Sequence, residues 1–138
     1  MIQRYMIDTN TVSYIVKGKS PAARTKLAGL REGEIGCISI ITEAELQYGL
    51  AKSLNAHSLR SALEGFFAKI QILPWGREEA SAYGQLRAKQ EAAGKTLGNL
   101  DLLIAAHAIA LGATLVTNDK AFGHVDGLSN IVNWANDL

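Results

Sequence analysis

A chain of 138 residues with 48% hydrophobic and 20% charged side chains is long enough to bury one core and too short for two ordinary domains. That composition excludes disorder and fibrous architecture, and no apolar run is long enough to cross a bilayer as a helix. A net charge of +1 carries no basic excess, so it neither announces nor excludes a nucleic-acid partner. The single cysteine, Cys37, lies in the apolar run 35–40 and reads as a small core residue in a reducing compartment. With no signal-like apolar stretch at the start, the expected location is the cytoplasm.

Residues 2–7 form an apolar run ended by the turn formers Asp8, Thr9 and Asn10, the mark of a strand buried on both faces. Thr9 or Asn10 is expected to cap a helix to about residue 17, and Ser20-Pro21 to open a second one that Gly33 closes. Residues 35–40 read as a second strand, followed after Thr42 by a helix containing Glu43, Glu45, Leu46, Tyr48 and Leu50. Leu59, Leu63, Phe66 and Phe67 recur at helical spacing, and residues 70–73, ahead of Pro74, read as a third strand. A helix is expected over 77–93, a loop over 94–98, and a helix over 100–111 with Asn99 as cap and Gly112 as stop. Residues 113–117 form a fourth strand, and 130–133 a short edge strand. No repeat, linker or low-complexity tract interrupts the pattern.

Strands of buried type alternating with helices predict a parallel sheet covered on both faces, an α/β/α sandwich. In such sheets ligands bind beyond the C-terminal ends of the strands, where Asp8 and Asp119 fall. Either aspartate could be a turn or cap residue alone. Asp101 opens a helix that is apolar nearly all round, so its carboxylate needs partners, unless it serves only the helix N-terminus. Glu43 and Glu45 cannot both face one site from one helix, being two residues apart. Carboxylates gathered at one edge repel unless protonated or bound to a hard cation, which points to magnesium or manganese and to phosphodiester hydrolysis. His57, His107 and His124 form no pair, and His107 reads as a hydrogen-bonded core residue.

The blocks Tyr5-Met6-Ile7-Asp8-Thr9-Asn10, Thr42-Glu43-Ala44-Glu45-Leu46-Gln47-Tyr48-Gly49, Asn99-Leu100-Asp101-Leu102 and Leu115-Val116-Thr117-Asn118-Asp119 resemble the PIN-domain nucleases, specifically VapC-type toxins of toxin–antitoxin pairs. The resemblance runs nearly end to end and implies a single PIN domain over residues 1–138. It implies that Asp8, Glu45, Asp101 and Asp119 bind the metal and carry catalysis, with Thr117 and Asn10 in support. It is this resemblance that selects Glu45 over Glu43. It further implies a five-stranded parallel sheet, a homodimer, an RNA substrate, and neutralisation by a small VapB-type antitoxin whose C-terminal segment fills the site. Toxins of this type that cut initiator tRNA in the anticodon loop make tRNA a candidate substrate. Lys17, Lys19, Arg24 and Lys95 are candidate phosphate contacts.

Receiver domains and dehalogenase-like phosphatases would need a second acid beside or two residues beyond Asp8, where this chain has Thr9 and Asn10. The competing reading from another class is a catalytically idle PIN domain acting as a binding or regulatory partner.

Overall fold

In the computed structural model, which describes residues 1–95 and 97–138, the chain runs β1 (Gln3–Ile7), α1 (Thr9–Val16), α2 (Pro21–Ala28), β2 (Glu34–Ser39), α3 (Ile40–Ala51) and α4 (Ala56–Phe67). It continues through β3 (Gln71–Leu73), α5 (Arg77–Ala92), α6 (Asn99–Leu111), β4 (Thr114–Val116), a 3-10 turn (Lys120–His124) and β5 (Ile131–Val132). The strands form one sheet in the order β3-β2-β1-β4-β5, and every neighbouring pair is parallel. The expected three-layer α/β/α sandwich is present.

The two-residue period of the strands divides the core. Met6, Cys37 and Leu115 point to one face, where they pack with Leu86 of α5 and with Leu102, Ile104 and Ala105 of α6. Their successors Ile7, Ile38 and Val116 point to the other, against Val12 and Ile15 of α1, Leu46 and Leu50 of α3, and Leu63 and Phe66 of α4. Strands buried on both faces need apolar residues at consecutive positions, which explains the adjacent apolar pairs Met6-Ile7, Cys37-Ile38 and Leu115-Val116. Among the described residues no helix is long and apolar enough to cross a membrane.

The chain begins in the middle of the sheet, moves outward through β2 and β3, then returns to lay β4 on the other side of β1. The order therefore reverses between β1 and β4, the place where open α/β sheets leave a crevice at their C-terminal edge. Helix α6 runs back across the sheet before β4, so its first turn faces that same edge. Its last turn ends at Gly112, whose φ of 65° and ψ of 28° favour a residue without Cβ.

Several boundaries differ from expectation for local reasons. Asp8 itself caps α1, by accepting from the Thr11 N–H, so Thr9 and Asn10 fall inside the helix. Ser39 caps α3, which starts ahead of Thr42. Helix α2 stops at Gly29, well before Gly33, and Gly98 takes the cap position of α6 in place of Asn99. The loop expected over 94–98 contains Thr96, which lies outside the described residues.

Candidate active site

Asp8 ends the central strand at the reversal point. Its own N–H donates to the Val116 carbonyl at 2.9 Å, which carries the β1–β4 ladder up to the aspartate. The carboxylate is 4% exposed and is held at both oxygens. Oδ1 accepts from the Thr11 N–H at 2.9 Å, and Oδ2 accepts from the Thr117 hydroxyl at 2.5 Å. Burial pushes the Asp8 carboxyl above its usual range. The hydrogen bonds from Thr117 and Thr11 oppose that rise, and the nearby charge of Asp119 adds to it.

Asp119 follows β4 and is exposed. Its N–H donates to Thr117 Oγ1 at 3.0 Å, and its Oδ1 caps the 3-10 turn by accepting from the Ala121 N–H at 2.9 Å. Thr117 thus ties the two aspartates together.

Asp101 lies in the first turn of α6 and is half-buried, less enclosed than its apolar surroundings in sequence suggest. Burial raises its carboxyl most, and the charges of Glu45, Asp119 and Asp8 raise it further. The three other acids are therefore close enough to act on it through space.

Glu45 reaches the cluster from α3, where the Thr9 hydroxyl donates to its Oε1 at 2.7 Å. Thr9 also lies 3.3 Å from the Thr42 hydroxyl. Glu43 points elsewhere, accepting from Gln47 Nε2 at 3.3 Å on the surface. A Cβ at Gly49, one turn beyond Glu45, would meet nothing within 4 Å, so no close packing there requires the glycine.

Asn10 is exposed in the first turn of α1, and its side chain makes no hydrogen bond among the described residues. The sequence reading missed Thr9, whose place in an Asp-Thr-Asn tripeptide looked like turn chemistry. It also missed Ser39, which caps α3 through its hydroxyl and meets His107 Nδ1 at 2.7 Å. His107 is fully buried, as expected of a core histidine.

The donor set is oxygen only, the chemistry a hard divalent cation takes. Among the described residues the ion pairs are Arg31–Glu34, Arg87–Glu91 and Lys95–Asp126, so no basic side chain neutralises these four acids. Among the same residues no three His, Cys, Asp or Glu side chains are drawn tightly enough together to form a ready coordination shell. The acids fit a cation by charge and donor type. Of the basic candidates, Arg24 donates to the Ile15 carbonyl at 2.7 Å and Lys95 lies 3.9 Å from Asp126, whereas Lys17 and Lys19 are exposed.

The PIN domain family matches residues 5–128. Ribonuclease VapC2 of Rickettsia felis is 39% identical over 131 residues, covering 94% of this chain and 97% of that protein. The tRNA(fMet)-specific endonuclease VapC of Shigella flexneri is 35% identical over 126 residues, covering 91% of this chain and 94% of its own length. Among solved structures, VapBC2 of Rickettsia felis bound to a DNA fragment from its promoter superposes with a TM-score of 0.91 at 37% identity, covering 96% of this chain and 99% of that one.

Proposed function

The chain belongs to the PIN domain family, and from that premise we propose that it is a divalent-metal-dependent endoribonuclease, the toxin of a VapBC pair acting in the cytoplasm. Asp8, Glu45, Asp101 and Asp119 are its metal-binding and catalytic acids, with Thr117 in support. The observation that carries this reading is the gathering of these carboxylates at the sheet's reversal point without a compensating base, so that Asp101 feels the charge of the other three. Burying uncompensated charge is costly, and a cation offsets it.

A bound divalent cation, magnesium or manganese, would polarise the phosphodiester and lower the pKa of an attacking water. The chain's own residues fix the geometry. Thr11 and Thr117 hold the Asp8 carboxylate in one orientation, Thr9 aims Glu45, and the first turn of α6 brings Asp101 to the crevice. Hydrolysis by water, without the ribose 2′-hydroxyl as nucleophile, leaves 5′-phosphate and 3′-hydroxyl ends.

The Shigella relative's name favours tRNA(fMet) as the substrate, and the family resemblance a cut in its anticodon loop. The Rickettsia complex favours a VapB-type antitoxin as partner, and the family resemblance a homodimer of single-domain chains spanning 1–138. The test is cleavage of total bacterial tRNA by purified, antitoxin-free protein in magnesium, in EDTA, and with Asp8→Ala. Discrete cuts in magnesium alone, with 5′-phosphate ends, are expected. Folded protein that cleaves neither tRNA nor other RNA would put an idle binding domain in the nuclease's place.

A further inference from the structure

Two stripes of residues lead away from the carboxylates. On α1, Thr9, Ser13 and Lys17 recur every four residues. On α3, Glu45, Gly49 and Lys52 follow at steps of four and three, so each set shares one face of its helix. These six residues line one groove of about 350 Å³. Leu59 and Leu63 of α4 give it an apolar floor. One end is lined by Thr9 and Glu45, which meet through a hydrogen bond, and the other by two exposed lysines.

Neither lysine has an ion-pair partner among the described residues. Lysines after a helix can simply complement its dipole, but Arg24 already donates to the Ile15 carbonyl in the last turn of α1. Lys52 Nζ lies over the Tyr48 ring, 4.8 Å from its centroid. Gly49 lies within α3, between Glu45 and Lys52 on the same face. Nothing in the fold requires a glycine there, since a Cβ would meet no atom within 4 Å, and glycine inside a helix costs stability relative to alanine. Its effect is to leave the groove wall bare.

At the helical rise, the lysines stand about 10–12 Å along their helices from Glu45 and Thr9. That is too far to touch a phosphate held at the carboxylates and well placed for one further along the same strand. We propose that this groove is a subsite for the RNA backbone flanking the cleaved bond, with Lys17 and Lys52 binding phosphate and the bare wall at Gly49 admitting the strand. The assignment rests on the ribonuclease reading above. RNA is favoured over an acidic peptide because Glu45, one of the four acids, lines the groove, so a strand held at the acids can extend along it.

Binding of a fluorescent mixed-sequence single-stranded RNA is measured in EDTA across a salt series, and KM and kcat for its cleavage in magnesium. The proteins compared are the wild type, the Lys17→Gln/Lys52→Gln double variant, and Gly49→Leu. The double variant should flatten the slope of log Kd against log salt by about 1.4, the sum expected for two phosphate contacts to a single strand. KM should rise several-fold with kcat unchanged. Gly49→Leu should weaken the same RNA with no fall in Tm. Unchanged affinity and slope in folded variants would overturn the subsite. So would unchanged RNA binding accompanied by lost affinity for an acidic peptide, which would make the groove a peptide site. Wild-type protein that binds RNA with the lysine-dependent slope yet cleaves none would support the subsite and overturn the nuclease reading alone.

Discussion

Thr117, just past β4, donates its hydroxyl to Asp8 Oδ2 at 2.5 Å, joining side chains 109 positions apart. Thr117 Oγ1 itself accepts the Asp119 N–H at 3.0 Å, so one threonine orients the acid of the central strand and the loop that carries a second acid. This hydrogen bond favours the ionised form of Asp8, against burial, which disfavours it.

Thr117→Val keeps the shape and removes the donor. The expected cost is about 1–3 kcal/mol in denaturant unfolding, because a buried carboxylate oxygen loses its partner. Asp8 should move further above the usual range, shifting the acid limb of the cleavage profile to higher pH, while Thr117→Ser restores it. An acid limb that stays in place in a folded Thr117→Val protein would separate this threonine from the chemistry.

Asp101 should cost the metal-free fold stability at neutral pH. Its carboxyl is raised in the folded chain. The stabilisation of the protonated form is therefore complete below the ordinary carboxylate value and is lost as pH rises through the folded value. Asp101→Asn in EDTA at neutral pH should raise Tm by about 1–3 °C, a gain that disappears in acid. Added magnesium should reverse the order, because a cation that binds only the folded wild type stabilises it by mass action. Thermal unfolding with and without the metal checks both halves, and a variant that gains nothing in EDTA would mean that the acids do not repel as described.

The sheet and its helices were legible because their signals are local. Two-faced burial writes apolar runs with little polar interruption at 2–7 and 35–40, and the left-handed stop at Gly112 favours a glycine. Asp8, Asp101 and Asp119 were legible as acids at strand and helix ends, whereas Glu45, in the middle of α3, was selected by the family resemblance. What could not be read was pairing through space. Thr9 meeting Glu45, Ser39 meeting His107 and the tie from Thr117 to Asp8 each depend on which elements become neighbours, and the β1–β4 reversal decides that. Caps failed for a related reason: in Asp8-Thr9-Asn10 three good capping residues stand in a row, and only the end of the β1 ladder selects Asp8.

His107 Nδ1 and Ser39 Oγ, 2.7 Å apart, connect α6 to the start of α3, the helices that carry Asp101 and Glu45. Burial holds this imidazole below its usual range, against the opposing effects of the Glu79 carboxylate and the Pro74 carbonyl. A lowered folded value means that the stability is present above the unfolded value of about 6.5 and is lost as pH falls through the folded value. His107→Ala should cost about 2–4 kcal/mol at neutral pH, from the cavity and the stranded Ser39 hydroxyl. The gap to wild type should narrow in acid, where wild type must charge a buried ring and the variant need not. Unfolding curves at several pH values test this, and a gap that is constant with pH would deny the histidine its neutral, buried role.

At the far end of α1 from the carboxylates, the chain's last residues close back on α2. Asp137 Oδ1 accepts the Ser20 hydroxyl at 2.6 Å, and its Oδ2 accepts the Ala22 N–H at 3.1 Å. Ser20 in turn accepts the Ala23 N–H at 3.1 Å, so two side chains satisfy the free amides of one helix start. These bonds hold the Asp137 carboxyl below its usual range. The stabilisation should be present above the ordinary aspartate value and lost as pH falls through the folded one. Asp137→Ala should therefore lower Tm at neutral pH, with the difference fading in strong acid, and leave kcat for RNA cleavage unchanged. A loss of kcat in a folded Asp137→Ala protein would show that α2 reaches the site, which the geometry of α1 argues against.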